Sequence, residues 1–396
     1  MLLPSKFGCF LSPLHPISES PQQLIQHDLE LVSFTESLGF DEFWVGEHHS
    51  GGWGLISSPE LFIAAASERS SRIKLATGVV SAPYHHPYMV AERATLLSHL
   101  TQGRFILGLG AGSVTGDMHM LGIQPSETRP MTAESVEVIS ELLNGVEVSR
   151  DSDWFTLNSG RVQLRPYGNR PPEIVVASAA TPFGMKLAGR LGINALSHGA
   201  PAWGVIRPGA DLGVAQLAKQ WEAHESAAEA NGHRVERSTW RVSFPVHVST
   251  SKEKALDEIH DGWVYQRNEL WKRTMGLPMS QASIADDKAF EATVQQGGII
   301  AGSVDDCVHQ IMELARDSGG FGTLLVTLQD WASRENQKKS LDLFGRFVIP
   351  RLTGQTQWQH DSRAWTETMK SQFQTLNSAG RGSNVSKEKS REATHV

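Results

Sequence analysis

The chain has 396 residues, a length that suits one large α/β barrel or two ordinary domains. Apolar types make up 40% of the residues and charged types 20%, a mix typical of globular proteins. Two cysteines exclude a disulfide framework and a cysteine-rich zinc module, and a net charge of -7 argues against a general nucleic-acid binder. The sequence has neither a membrane-length apolar stretch nor a secretory h-region, so we expect a cytoplasmic protein that binds no membrane.

Short apolar runs rich in β-forming residues alternate along the chain with longer stretches of helical period. The short runs predict eight strands, over Phe7–Leu11, Phe43–Val45, Lys74–Val80, Phe105–Leu109, Glu173–Ala177, Asn194–Leu196, Trp240–Val248 and Leu324–Leu328. The longer stretches predict helices over Pro21–Leu38, Ser58–Arg69, Pro87–Leu100, Met131–Leu143, Phe183–Leu191, Gly213–Asn231, Ser251–Trp271, Val304–Arg316 and Arg334–Val348. Eight strand and helix units predict a (β/α)8 TIM barrel over residues 1–350, with a doubly wound sheet as the competing α/β architecture.

Two stretches interrupt this alternation. Arg150–Pro166 carries aromatic and apolar residues and predicts an inserted hairpin. Arg273–Gly298 is weakly periodic, and we interpret it either as a mobile lid over the barrel mouth or as a passive insertion. After the barrel, residues 351–376 form a C-terminal extension, and the polar composition of residues 377–396 predicts a disordered tail.

Histidine pairs follow two of the predicted strands, and functional residues of such barrels collect at the carboxyl ends of strands. The second strand is followed by Glu47, His48 and His49, and the third by His85 and His86. An acid beside histidines is typical of a base with an orienting carboxylate, of a metal site, or of ordinary packing. The sequence leaves these alternatives open, although the missing His-x-His spacing argues mildly against a metal.

Small residues follow the fourth and fifth strands. Gly108, Gly110 and Gly112 would let a ligand approach the backbone closely, but a tight barrel corner explains them equally well. Ser178 and Thr181 lie just ahead of a predicted helix, where free N–H groups and the helix dipole favour an anion. The simpler interpretation is that Thr181 caps that helix.

Taken together, these stretches resemble the bacterial-luciferase-like family of flavin-dependent monooxygenases. The matching residues are Phe7-Gly8-x-Phe10, Phe40-Asp41-Glu42-x-Trp44-x-Gly46-Glu47-His48-His49, Thr77-Gly78-Val79, His86-Pro87 and Gly103-Arg104-Phe105. By strand order the resemblance extends from Lys6 to Val348. The runs Glu47–Gly52, Ser58–Ala66 and Asp153–Leu157 look most like the limonene-monooxygenase-like members of the family.

The resemblance implies a two-component monooxygenase. Reduced FMN would be the diffusible cofactor, a separate NAD(P)H-dependent flavin reductase would supply it, and O2 would be the co-substrate. A C4a-hydroperoxyflavin would then epoxidise an alkene or attack a carbonyl of a small apolar molecule, such as a terpene, an aldehyde or a ketone. The resemblance also allows a homodimer, and it implies no metal.

Carried over position by position, the resemblance assigns roles to individual residues. It implies catalytic roles for His48 and Glu47. Cofactor binding is implied for Val79, Val80, His86, Gly110, Gly112, Ser178 and Thr181. A substrate pocket is implied at Phe10, Trp44, His49 and Trp53. Luciferases have an unusual cis peptide at the position of Val79-Val80, and they have a phosphate-pairing arginine where this chain has Ala111. The FMN phosphate would then need another cation, or only hydroxyl and N–H groups.

Three other functions stay open at this point. An F420-dependent oxidoreductase on the same fold would transfer hydride without oxygen, and fold-level similarity does not separate it from a monooxygenase. A flavin-binding protein without catalysis would bind the cofactor but turn nothing over. A metal-dependent barrel hydrolase would use the histidine pairs as ligands.

Overall fold

A parallel barrel dominates the computed structural model, which describes residues 2–179, 181–199, 214–276 and 284–380. In chain order the strands are β1 (Lys6–Leu11), β2 (Glu42–Val45), β3 (Lys74–Thr77), β4 (Val80–Ser81), β5 (Phe105–Gly110), β6 (Val148–Asp151), β7 (Thr156–Gly160), β8 (Glu173–Ser178), β9 (Asn194–His198), β10 (Arg241–Val248), β11 (Ile300–Gly302) and β12 (Thr323–Leu328). Of these, β1, β2, β3, β5, β8, β9, β10 and β12 pair side by side in that order, and β12 pairs back with β1. All eight pairings are parallel, so the predicted (β/α)8 barrel is confirmed.

Helices alternate with the strands along the chain. They are α1 (Pro21–Ser37), α2 (Pro59–Ser67), α3 (Pro87–Leu100), α4 (Thr115–Met120), α5 (Thr128–Leu143), α6 (Phe183–Leu191), α7 (Val214–Ala230), α8 (Lys252–Tyr265), α9 (Asp286–Gln295), α10 (Val304–Ser318), α11 (Arg334–Leu343), α12 (Ile349–Thr353) and α13 (Gln357–Thr368). Two π-helical segments, Gln266–Thr274 and Phe344–Val348, directly continue α8 and α11. None of the described helices is long and apolar enough to cross a membrane.

Side-chain alternation along the strands divides the core into two layers. One set of residues faces the barrel axis and fills it: Phe10, Trp44, Ala76, Ile106, Val175, Leu196 and Leu325. A larger apolar set lies between the strands and the surrounding helices. At the amino ends of the strands the barrel axis is polar, because Arg241 binds Glu42 and Glu173 there. The carboxyl ends are therefore the side of the barrel left for a ligand.

The third predicted strand is interrupted. Hydrogen bonding of β3 stops at Thr77, and the short β4 then pairs with β5. The peptide bond between Gly78 and Val79 is cis. The cis bond was expected between Val79 and Val80, so that prediction was wrong by one residue.

Three predictions outside the regular repeat can be compared with the structure. The hairpin is confirmed, since β6 and β7 pair antiparallel. The candidate lid contains α9, and its residues 277–283 lie outside the described ones. Residues 377–380 are helical and residues 381–396 lie outside the described part, so the disordered tail stays a prediction. The chain divides into two compact units between Leu352 and Thr353.

Candidate active site

The segment after β2 folds back over the barrel mouth and encloses His48. The backbone N–H of His48 donates to the carbonyl of Ile56 at 3.1 Å, and Gly54 pairs antiparallel with Leu14 from the loop after β1. Gly54 packs so closely on His48 that a Cβ added at Gly54 would lie 2.3 Å from the His48 Cβ. Two neighbouring loops therefore fix the position of this histidine.

An apolar cluster, here called the roof, covers the same loops. It consists of Leu14, Trp53, Leu270 and Trp271, with Met275 packed against it. Trp53 is 2% exposed and packs its ring on Tyr265 at a centroid distance of 5.7 Å. Because Leu270 and Trp271 come from the π-helical segment, the roof joins the loops after β1 and β2 to the element that leads into the candidate lid. Leu14 and Trp53 adjoin the Leu14–Gly54 pairing that packs on His48, so apolar side chains lie next to the segment that holds this histidine.

Glu47 holds two other histidines rather than His48. Its Oε1 lies 3.0 Å from His49 Nε2 and 2.6 Å from His85 Nε2, and its Oε2 accepts from the backbone N–H of Ser81. Burial by itself raises the pKa of Glu47, but the hydrogen bonds to His49 and His85 outweigh burial and lower the pKa to about 2. Among the described residues, no hydrogen bond joins Glu47 to His48. The carboxylate is therefore permanently ionised and orients its two neighbours.

The ring of His48 makes no hydrogen bond to the described part of the chain, and its Nδ1 is fully buried. Burial lowers its pKa below the usual value of histidine, so the ring is neutral near pH 7. Two more buried polar atoms without described partners are the Oη of Tyr84 and the Oδ1 of Asp117. The Asp117 carboxylate acts electrostatically on the rings of His48 and Tyr84. Buried polar atoms normally find partners, so such a group around His48 indicates a place for water, protons or ligand atoms.

The start of α6 offers an anion site. The residue at its N-cap is Pro182, and within the described ranges no side chain caps the first N–H groups of the helix. The prediction that Thr181 caps this helix was wrong, and its hydroxyl instead lies 3.5 Å from a guanidinium nitrogen of Arg129. The Ser178 hydroxyl donates to the Thr181 carbonyl at 2.7 Å. Arg129 thus brings a positive charge beside Thr181.

The glycines after β5 are accounted for by packing. A Cβ at Gly110 would lie 2.7 Å from a methyl group of Val79, and one at Gly112 would lie 2.4 Å from the Tyr84 hydroxyl. His86 caps α3 by accepting from the Tyr88 N–H, and its ring lies edge-on to an aromatic ring of the hairpin. The cofactor-binding roles of Val79, Val80, Gly110, Gly112 and His86 stay predictions.

Two predicted pocket residues lie at different depths of the barrel. Trp44 is fully buried, and its indole N–H donates to Glu42 at the amino end of the barrel at 2.9 Å. Trp44 is therefore a residue of the axial core whose indole N–H points to the amino end of the barrel, and its role in a substrate pocket stays a prediction. Phe10 lies nearer the mouth, where its ring would contact a Cβ at Gly78. His49 stays at the mouth through its bond to Glu47.

Sequence reasoning missed three residues of the mouth. His198 and Ser243 form a hydrogen-bonded pair at its rim, 2.7 Å apart. His198 ends β9, whose predicted end was two residues too early, so a correct strand boundary would have included it. Arg129 lies in the first turn of α5, before the predicted start of that helix, and no sequence pattern pointed to it. Across the described ranges, no group of three or more His, Cys, Asp or Glu residues is arranged to hold a metal ion.

Comparisons with known proteins identify relatives over nearly the whole chain. The luciferase-like monooxygenase family matches residues 5–320. The 4-hydroxyprotoasukamycin monooxygenase of Streptomyces nodosus subsp. asukaensis is 49% identical over 360 residues, which cover 91% of this chain and 95% of that protein. Limonene 1,2-monooxygenase of Rhodococcus erythropolis is 40% identical over 349 residues, covering 88% and 87%. The oxygenating constituent of 3,6-diketocamphane monooxygenase from Pseudomonas putida, solved in complex with FMN, is similar with a TM-score of 0.73 at 25% identity, over 89% of this chain and 99% of that one.

Proposed function

This chain belongs to the luciferase-like monooxygenase family, and from that premise we propose that it is the oxygenating component of a two-component flavin system. In the proposed reaction, a separate NAD(P)H-dependent reductase supplies reduced FMN, O2 is the co-substrate, and one oxygen atom enters a small apolar molecule. The relatives are named for different substrates, so terpene epoxidation and carbonyl oxygenation are both included.

The observation that carries the proposal is the neutral His48 beneath the roof. Oxygen activated by a reduced flavin loses its oxidising power when water reaches it. The site must therefore exclude water. The roof residues Leu14, Trp53, Leu270 and Trp271 provide an apolar cover of this kind. A neutral imidazole below that cover can accept or return a proton at a ring nitrogen without leaving an unpaired charge in an apolar site.

The anion site at the start of α6 fits the phosphate of FMN. Arg129 carries a positive charge with planar N–H donors, which suit a phosphate. The Thr181 hydroxyl and the uncapped N–H groups of α6 add neutral donors beside it. Ser178 holds the Thr181 backbone in place. Reduced FMN, when bound, supplies the electron pair that activates O2.

Glu47 positions other polar side chains of the mouth. Glu47 stays ionised at any working pH, so it positions His49 and His85 and does not act as a general acid. Its role is to join His49, which follows β2, to His85 and Ser81 in the segment between β3 and α3. Proton transfer is left to His48, whose lowered pKa keeps it in the accepting form.

The proposal extends to partners and location. The reductase is expected to deliver reduced FMN through solution, the protein to work in the cytoplasm as a homodimer, and neither nucleic acid nor membrane to take part. Separating the reductase from the protein with a dialysis membrane tests free delivery, and light scattering after gel filtration measures the oligomer.

The decisive experiment is a coupled assay with labelled oxygen. The protein is mixed with FMN, NADH and a flavin reductase under 18O2, with limonene, a long-chain aldehyde, a ketone and 4-hydroxyprotoasukamycin as candidate substrates. We expect one product that carries a single 18O atom, formed only with O2. His48→Ala should lower the product formed per reduced FMN, whereas His309→Ala, which removes an exposed histidine of α10, should not.

Two results would contradict the proposal. Substrate-dependent turnover with reduced F420 in the absence of O2 would establish hydride transfer instead. Full coupling of flavin oxidation to product in His48→Ala would show that His48 handles no proton in the reaction.

A further inference from the structure

A second imidazole lies at the barrel mouth, opposite His48. His198 ends β9, and it points to the barrel axis because Leu196, two residues earlier, belongs to the axial core. Around the eight barrel strands, β9 and β2 are four strands apart in either direction. A ligand bound in the mouth therefore lies between His48, which follows β2, and His198.

The surroundings of His198 fix its ring and its proton. The ring stands edge-on to Phe10 at a centroid distance of 4.9 Å and an angle of 90°. Its Nδ1 lies 2.7 Å from the hydroxyl of Ser243, which is 2% exposed and makes no other side-chain hydrogen bond in the described chain. If Nδ1 carried the proton, the Ser243 hydroxyl hydrogen would have no acceptor. The favoured arrangement is that Ser243 donates to Nδ1, which leaves the proton of a neutral imidazole on Nε2.

The remaining nitrogen has no partner. Among the described residues, nothing accepts a hydrogen bond from His198 Nε2. Burial lowers the pKa of His198 to about 4, so the ring is neutral at any working pH. Burying a His–Ser pair above an otherwise apolar layer costs desolvation free energy, which an aliphatic pair would avoid. Packing alone therefore does not explain the pair.

We propose that His198, oriented by Ser243, is a ligand-binding residue of the mouth whose Nε2–H donates to a carbonyl oxygen of the bound molecule. The carbonyl belongs either to the isoalloxazine ring of FMN or to the substrate. In the second case, the site is built for an apolar molecule that carries one oxygen function rather than for a pure hydrocarbon. The proposal relies on the proposed function only in taking FMN as one of the two ligands.

Binding measurements on variants of His198 distinguish the two sources. His198→Leu removes the donor, and His198→Gln keeps an N–H donor. Ser243→Ala removes the hydroxyl that fixes the imidazole proton on Nε2. For each folded variant, FMN affinity is measured by quenching of flavin fluorescence. Affinity for carvone and limonene, which differ by one ketone group, is measured by calorimetry.

The expected result is a loss of at least about tenfold in His198→Leu, the size of one hydrogen bond to a buried acceptor. A loss confined to FMN assigns the flavin carbonyl, and a loss confined to carvone, with limonene unchanged, assigns the substrate. His198→Gln should recover most of the affinity and Ser243→Ala should lose part of it, which a purely structural role would not produce.

Two results for His198→Leu together overturn the proposal: FMN affinity is unchanged, and carvone affinity shows no specific loss. The second result includes the case in which carvone does not bind at all. Equal losses for carvone and limonene also overturn it, since they would indicate a change of shape. These outcomes are independent of whether 18O enters a product, so the proposed function is tested separately.

Discussion

Substituting Gly54 by alanine should displace His48 without removing any polar group. Gly54 lies on the strand-like pairing with Leu14, and its missing Cβ would lie 2.3 Å from the His48 Cβ and 3.2 Å from its Cγ. Its backbone lies outside the left-handed region, so alanine brings no conformational penalty there. The only direct consequence is a methyl group placed against the histidine.

The geometry gives the size of the effect. Non-bonded carbons rest about 3.5 to 4.0 Å apart, so the new contact forces a shift of about 1 Å. The pairing with Leu14 and the roof hold the Gly54 backbone, which leaves the His48 side chain to move. Misplacing a reacting group by about 1 Å can lower the rate about 100-fold. Overpacking should also lower the free energy of unfolding by about 1 to 3 kcal/mol.

The assay is the rate of 18O-labelled product at saturating reduced FMN, measured beside FMN affinity and urea unfolding. We expect Gly54→Ala to lose most of the rate while FMN affinity stays unchanged, because the anion site at α6 is untouched. Leu55→Ala is the matched control, since it weakens the same segment without adding atoms at His48. His48→Ala combined with Gly54→Ala should be no slower than His48→Ala alone. A folded Gly54→Ala protein with the wild-type rate would refute the reasoning.

Charged groups elsewhere in the barrel give three further predictions. Arg129→Met should weaken FMN binding at least about tenfold and leave riboflavin binding unchanged in fluorescence titrations, and equal losses would argue against a phosphate contact. Arg241→Met leaves Glu42 buried without its partner, so urea unfolding should show a loss of about 3 to 5 kcal/mol that adding Glu42→Gln partly restores. Burial lowers the pKa of His15, but hydrogen bonds to two aspartates outweigh burial and raise it to about 10, above the unfolded value of 6.5. The stability that His15 contributes is therefore complete below pH 6.5 and is lost as the pH rises toward about 10. The difference in unfolding free energy between wild type and His15→Asn should shrink over that range. A constant difference would contradict this prediction.

Much of the candidate site could be predicted from local sequence. Glu47, His48 and His49 directly follow a strand, and strand ends in a parallel barrel meet at one face. Ser178 and Thr181 lie shortly before the start of α6, and that start could also be predicted from neighbouring residues. Which atoms meet was not predictable, because two partners of Glu47, Ser81 and His85, lie 34 and 38 positions along the chain.

The sequence by itself determined the barrel, the hairpin and the face on which the mouth lies, because hydrophobic periodicity and turn residues act over a few neighbouring positions. Tertiary structure alone decided that Trp44 fills the core and that Arg129 lies beside Thr181. It also placed His198 opposite His48, which requires closure of all eight strands. The physical reason is that these relations join residues far apart in sequence, whose distances are set only when β12 pairs with β1.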